Sequence, residues 1–234
     1  RRLRLCSLHF YTLGWIVAAV VHTCQTIVFS LGDRIPGSLV NDARFVNLIL
    51  AHADKALQGA YDWWSPAQFY PHTGTLVYSD NHFGTFLLYS LFRFLGCSVE
   101  GAFQGWHIAL SLANAVSAVF LLRTLKVKYP LCGPLAFVGV SSFALVGKLG
   151  HPQLLPLFPF LFGLAYLMRF LKTHQLKALS AAVLWYAYQH YCYQYFGYFA
   201  TLLLSAVVVA FSFTNRTWIF TLRRAPAIRP WGFA

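Results

Sequence analysis

Long runs of hydrophobic residues alternate along this chain with short polar or basic breaks. A helix needs about 20 apolar residues to cross the hydrocarbon core of a bilayer. Residues 8–31 and 101–122 have that length. Residues 131–147, 153–171 and 176–213 are further oily segments, and the last is long enough for two spans. The pattern predicts an all-α, polytopic transmembrane helical bundle with about six to seven spans.

Residues 32–82 interrupt this pattern with a long polar and aromatic stretch, which predicts a large loop after the first span. Within it, residues 41–58 carry apolar residues near helical spacing, with Asn47 and Asp54 away from that stripe. The predicted stripe consists of Phe45, Leu48, Ile49, His52 and Leu57. We therefore expect an amphipathic juxtamembrane helix lying on the membrane surface.

Residues 83–96 form a short hydrophobic segment after this loop, and about fourteen residues are too few for an ordinary span. If the loop is external and the basic cluster after residue 122 is cytoplasmic, an odd number of spans must lie between them. Residues 101–122 supply one span, so residues 83–96 are expected to form an interfacial helix and not a second span. The remaining spans then occupy residues 101–213, and the whole of 1–234 is one transmembrane module. We expect this module to be a piece of a longer chain.

Basic residues cluster before the first span and after residues 122, 168 and 215. Cytoplasmic loops carry such clusters, so the N-terminus is predicted to be cytoplasmic and the 32–82 loop external. The formal net charge of +12 is also typical of proteins that bind nucleic acids. We reject that partner because the basic residues punctuate hydrophobic segments instead of forming a basic patch. The expected surroundings are the lipid bilayer, and the protein is expected to be integral to it.

The acidic residues are confined to one part of the chain, which is therefore the expected location of the chemistry. All six lie between residues 33 and 100, and none occurs among the 134 residues from 101 onward. A second polar point is the break at 148–153, which separates two oily segments on the same predicted external side. Irregular backbone at membrane depth is tolerated next to protein or a water-filled cavity, so this break predicts a cavity.

Three stretches in these regions resemble the bacterial polytopic proteins of the GT-C glycosyltransferase superfamily: NDARF, FYPHTGTLVYSDNHFGT and GHPQLLP. The resemblance implies transfer of a sugar from a polyprenyl-phosphate donor on the external face of the bacterial inner membrane, in cell-envelope chemistry. It implies a functional Asp early in the first external loop, which is Asp42 here, and a second polar site at His151 and Gln153. The sequence departs from the pattern at Ala51, where an acid is expected.

Inverting sugar transfer in one step needs one general base, in contrast to the two carboxylates of hydrolases. Asp42 is the predicted base, with capping of the following helix as the alternative role. The leaving phosphate needs cationic donors or a metal. Donor or acceptor binding is predicted for six further residues: Arg44, Asp80, His82, Lys148, His151 and Gln153. A divalent metal ion remains open as a cofactor, with Asp80 and His82 as an alternative pair of ligands.

Two other functions compete with the glycosyltransferase hypothesis. A transporter or flippase for lipid-linked or anionic solutes would use the basic residues at span ends to guide its substrate. A non-catalytic scaffold subunit of the same fold, with further membrane subunits as partners, would explain why expected acids are missing. Transfer of labelled sugar that is lost on Asp42→Asn separates the enzyme from both alternatives.

Overall fold

The computed structural model describes residues 2–28, 42–67, 70–143 and 151–214, and every regular element in these ranges is helical. The predicted all-α class is therefore confirmed. Two 3-10 turns, Thr75–Tyr78 and Pro152–Leu154, lie between the α-helices. The helices are α1 (Arg2–Thr23), α2 (Gln25–Val28), α3 (Asp42–Leu57), α4 (Phe86–Phe94), α5 (Val99–Thr124), α6 (Tyr129–Phe143), α7 (Phe158–Thr173), α8 (Leu176–Cys192) and α9 (Gln194–Thr214).

Three helical segments within the described ranges are long and apolar enough to cross a membrane. They are Val99–Thr124, Pro152–Thr173 and Gln194–Phe213, and each matches part of a predicted oily segment. This number is smaller than the six to seven spans that the sequence predicts. The apolar part of α6, Tyr129–Ser141, is shorter than a full span. The chain thus has the character of an integral membrane protein with three candidate spans.

Helix α3 occupies nearly the predicted residues, and it buries two members of the predicted stripe, Ile49 and His52, together with further residues outside that stripe. Leu48 and Leu57 are exposed, whereas Asn47 and Asp54 are buried. The face that packs into the core consists of Ala43, Val46, Leu50 and Ala53. Small side chains let α3 approach α4 and α5 closely, and that packing decides which face is buried. The expectation that Asp54 is solvated is therefore wrong, because protein covers that side of α3. The position of α3 on the membrane surface stays a prediction.

Helix α4 is the part of the 83–96 segment that is helical, and it has nine residues. At about 1.5 Å per residue it extends about 13 Å, well short of a hydrocarbon core of about 30 Å. Its length agrees with the preference for an interfacial helix. Phe86 and Tyr89 of α4 pack against the aromatic side of α5, where Phe103 and Trp106 stack with ring centroids 5.6 Å apart.

Helix α5 separates two chemically different ends of the molecule. Glu100 lies in its first turn and Arg123 in its last. The 23 residue steps from Glu100 to Arg123 correspond to roughly 35 Å of helix, about the thickness of a bilayer core. The acidic loop therefore lies at one end of the bundle, and the turn after α5 lies at the other.

Candidate functional site

Asp42 is the first residue of α3, and two side chains from a distant part of the sequence meet its carboxylate. His151 places its Nδ1 2.7 Å from Oδ2 of Asp42. Gln153 donates from Nε2 to the same oxygen at 2.5 Å. The side chains of Asp42 and His151 are 47% and 48% exposed. The structure thus brings together three predicted site residues at a position that solvent reaches, with both contacts on a single carboxylate oxygen.

The segment that carries His151 and Gln153 is bent because prolines limit its hydrogen bonding. Residues 152–154 form one 3-10 turn, and Pro156 precedes the start of α7. Proline has no amide hydrogen and its ring blocks a continuous helix. His151 therefore stands at the N-terminal end of a short turn, outside the helix, with its ring free to face α3.

A buried asparagine from α5 fixes this bent segment to the bundle. Asn114 is 1% exposed, and its Nδ2 donates to the carbonyl of Leu155 at 2.7 Å. Its Oδ1 accepts from the backbone N–H groups of Leu157 at 3.0 Å and Phe158 at 2.8 Å. These are groups that the start of α7 leaves without helical partners. One amide therefore satisfies three backbone groups.

A second buried amide, Gln189 of α8, holds the next turn of the same segment. Its Nε2 donates to the carbonyl of Pro156 at 2.9 Å, and its Oε1 accepts from the N–H of Phe160 at 3.1 Å. Buried polar groups are costly unless they are paired, so the two amides and the bent backbone stabilise one another. Together they set where His151 and Gln153 can lie.

The contacts to Asp42 favour its ionised form. The hydrogen bond from His151 is the largest cause of a lowered pKa of Asp42, and that from Gln153 is the next. Partial burial acts in the opposite direction and is outweighed. Hydrogen bonds to a carboxylate stabilise the anion more than the neutral acid. Asp42 is therefore an anion at neutral pH, oriented by two donors from one segment.

Asp80 is close enough to be affected by the charge of Asp42, and its pKa is raised where that of Asp42 is lowered. Burial raises its pKa most strongly, the backbone N–H of Gln194 lowers it, and the negative charge of Asp42 raises it. Its Oδ1 is buried without a hydrogen-bond partner in the described part of the chain. Tyr193, at the turn between α8 and α9, also has a raised pKa, caused by burial and then by the charge of Asp80.

His82 does not share the exposed surface of Asp42 and His151. It is 1% exposed, and its ring meets Trp106 edge to face with centroids 6.2 Å apart. Burial lowers its pKa to about 4, with the Cys192 backbone as an opposing influence. His82 is therefore neutral and enclosed in this structure, away from the exposed carboxylate of Asp42, and its role in donor or acceptor binding stays a prediction. Packing of the 79–85 segment against α5 and the α8–α9 turn is the reason for its burial.

Arg44 and Lys148 are the two remaining predicted site residues. Arg44 is exposed on α3, two residues from Asp42. Lys148 lies outside the residues that the structure describes. In the described ranges no three His, Cys, Asp or Glu side chains are grouped as a metal ion would require. The described residues therefore provide no set of ligands for the divalent metal ion that the sequence analysis considered.

Sequence reasoning did not identify Asn114, Gln189 or Gly84. Gly84 donates its N–H to the carbonyl of Tyr191 at 2.7 Å, and a Cβ added there would lie 2.5 Å from Sγ of Cys192. This close contact joins the Asp80 segment to the α8–α9 turn. The two amides carried a usable signal, because a polar side chain within an oily helix usually faces the protein interior. Gly84 carried none.

The chain matches no protein-family model, no curated protein and no solved structure.

Proposed function

We propose that this protein is a membrane-embedded, GT-C-like glycosyltransferase that uses Asp42 as its general base. One observation carries the proposal: a loop carboxylate and the predicted second polar site, 109 residues apart in sequence, meet directly through His151 and Gln153. The donor is a sugar linked to polyprenyl phosphate, and the acceptor is a hydroxyl group on the external face. The six to seven spans, the cytoplasmic N-terminus and the bacterial inner membrane belong to the same proposal.

The arrangement of hydrogen bonds around Asp42 leaves one oxygen for chemistry. Among the described residues, His151 and Gln153 both contact Oδ2, so the proposal assigns Oδ1 to the acceptor. In the proposed step the acceptor oxygen bonds to the anomeric carbon as the bond from that carbon to the phosphate oxygen breaks. The phosphate leaves with the electron pair, and the acceptor proton moves to Oδ1 of Asp42. Attack on the face opposite the phosphate inverts the anomeric configuration.

The lowered pKa of Asp42 makes it a modest base, which suits a step in which the hydroxyl loses its proton as the new bond forms. His151 can donate through Nδ1 to Asp42 and through Nε2 to a phosphate oxygen when its ring is protonated. Arg44 is the nearby exposed cation on the same helix, and Lys148 is the expected cation on the 148–153 break. Charge stabilisation of the leaving group is assigned to these residues, and no step is assigned to a metal ion.

Transfer of radiolabelled sugar from a polyprenyl-phosphate donor, in membranes or nanodiscs, tests the proposal. Asp42→Asn keeps the shape and the helix start but removes the base, so the rate should fall by about 10²–10⁴-fold. Asp62→Asn is the matched control, because Asp62 is exposed and bonds only locally to Ser65 in the described structure. The control should keep the wild-type rate. Equal rates for Asp42→Asn and wild type would reject Asp42 as the base.

A scaffold role remains the second candidate, and one observation favours it. Asp42 heads α3, where a carboxylate is stabilised by the helix dipole without any catalytic role. A scaffold shows no transfer with any donor and retains its partners in Asp42→Asn. For the transporter, labelled donor would move across the bilayer unchanged, and this movement would survive Asp42→Asn.

A further inference from the structure

Two turns at the end of the bundle opposite Asp42 carry a dense group of cations. The first follows α5 and the second joins α7 to α8. Six Lys and Arg side chains lie in or beside them, and each is exposed. We name this group the basic face, and it comprises Arg123, Lys126, Lys128, Arg169, Lys172 and Lys177.

Direct contacts show that the two turns form one surface. Lys172 at the end of α7 donates from Nζ to the carbonyl of Thr124 at 3.3 Å. The guanidinium of Arg123 lies over the ring of Tyr129, 4.9 Å from its centroid. The hydroxyl of Tyr129 is 2.5 Å from Nδ1 of His9, which adds α1 to the same end. The ends of four helices therefore meet within this face.

No carboxylate among the residues that the structure describes is in a position to neutralise the basic face. The sequence has no acid before residue 33 or after residue 100. Glu100 is separated from Arg123 by roughly 35 Å of α5, several times the screening length of about 8 Å at physiological ionic strength. The two ion pairs in the described ranges, Arg93–Asp54 and His151–Asp42, involve acids of the opposite end.

Two of these cations stand where the fold itself disfavours positive charge. Lys128 immediately precedes α6, and Lys177 lies in the first turn of α8. The N-terminus of a helix carries a partial positive charge, so a cation there is destabilising. Neither helix has an acid in its first turn as compensation. Cations at such positions favour a negative group as a partner, and the described acids do not supply one.

We infer that the basic face binds the phosphate headgroups of anionic phospholipids. It lies at the ends of the candidate spans Val99–Thr124 and Pro152–Thr173, which is the depth of the headgroup layer. Basic residues beside spans are attracted to anionic leaflets at short range, and phosphate accepts hydrogen bonds from Lys and Arg. The surface is independent of the Asp42 site, and its binding does not require glycosyl transfer.

The test uses nanodiscs of equal parts phosphatidylglycerol and phosphatidylcholine, with lipids retained by the released protein counted by native mass spectrometry. Wild type should retain phosphatidylglycerol preferentially. A variant with Lys128→Gln, Lys172→Gln and Lys177→Gln should lose this preference, by on the order of 10²-fold in relative affinity. The same three positions changed to Arg should keep it. Lys55→Gln, an exposed lysine at the far end of the molecule, is the control and should behave as wild type.

Three results would overturn the inference. The first is a Gln variant with the wild-type lipid preference, verified by circular dichroism to retain wild-type helix content. The second is displacement of phosphatidylglycerol by inorganic phosphate at equal concentration, which would identify a site for free phosphate. The third is displacement by a short duplex DNA, which would identify a nucleic-acid surface. If the Gln variant does not fold, the salt dependence of the wild-type preference decides: loss between 50 and about 500 mM salt supports the basic face, and no change rejects it.

Discussion

The two ends of this bundle use polar residues in opposite ways. Asp42 at the acidic end is held by two donors, and the segment that carries them is fixed by the buried amides of Asn114 and Gln189, which bind defined backbone atoms. At the basic face, charged side chains are exposed, and their contacts are carbonyls at helix ends and, for Arg123, the ring of Tyr129. A buried polar group fixes geometry because any displacement leaves it unpaired. An exposed cation instead offers charge without fixed geometry, which suits a fluid layer of headgroups.

Asn114→Leu is expected to give the largest loss of stability, because the two ends differ most in their use of buried polar side chains. The change removes three hydrogen bonds and leaves the N–H of Phe158 without a partner, whereas the N–H of Leu157 keeps its bond to the carbonyl of Leu155 at 2.8 Å. The loss should cost about 3 kcal/mol of unfolding free energy. Ser117→Ala, on the same helix, removes only a bond to the carbonyl of Asn114 and should cost about 1 kcal/mol or less. Thermal unfolding in detergent micelles measures both. Similar losses for the two variants would mean that Asn114 does not organise the acidic end.

Gly84→Ala should give the next largest effect. The added Cβ would lie 2.5 Å from Sγ of Cys192 and 2.9 Å from its backbone nitrogen. The segment that contains Gly84 must therefore move away from the α8–α9 turn. Overpacking of this kind costs about 1–3 kcal/mol. Gly14→Ala is the matched control, because no atom lies within 4 Å of its added Cβ, and it should be neutral or stabilising. The midpoint of denaturation for the two variants gives the comparison.

Two carboxylates of the acidic end, Asp42 and Asp80, should change the stability of the protein with opposite signs as the pH rises. The pKa of Asp42 is lowered by folding, so its stabilising contribution is present above the ordinary value of 3.8 and is lost as pH falls through the lowered pKa. The pKa of Asp80 is raised, so stability falls as pH rises from 3.8 through the raised pKa. Above that window Asp80→Asn should stabilise the protein and Asp42→Asn should destabilise it. Unfolding curves from pH 3 to pH 8 that shift both variants in the same direction would contradict this assignment.

The smallest effect is expected at the basic face. Arg123→Gln removes the cation over Tyr129, and an exposed cation–π contact contributes about 0.5–1 kcal/mol. Unfolding in neutral detergent should therefore change by no more than that amount. A loss as large as that of Asn114→Leu would show that the basic face also organises the fold, and the contrast between the two ends would disappear.

The sequence alone determined the all-α class of the protein and the approximate bounds of some of its helices. Hydrophobic run length is a local property, so the helical bundle and the approximate bounds of α3 follow from it. The separation of acids from basic clusters is also written in the linear order of residues. These features survive without knowledge of which helices touch, and the structure agrees with them.

Tertiary structure alone decided which face of α3 is buried and which candidates meet. Periodicity groups residues on a face, but packing of α4 and α5 selects that face, so Asp54 is buried beside Arg93 although it was expected to be solvated. The contact of Asp42 with His151 spans 109 residues and depends on two buried amides and a bend at prolines. The burial of His82 also follows from neighbours distant in sequence, such as Trp106, and burial disfavours the charged form of an imidazole.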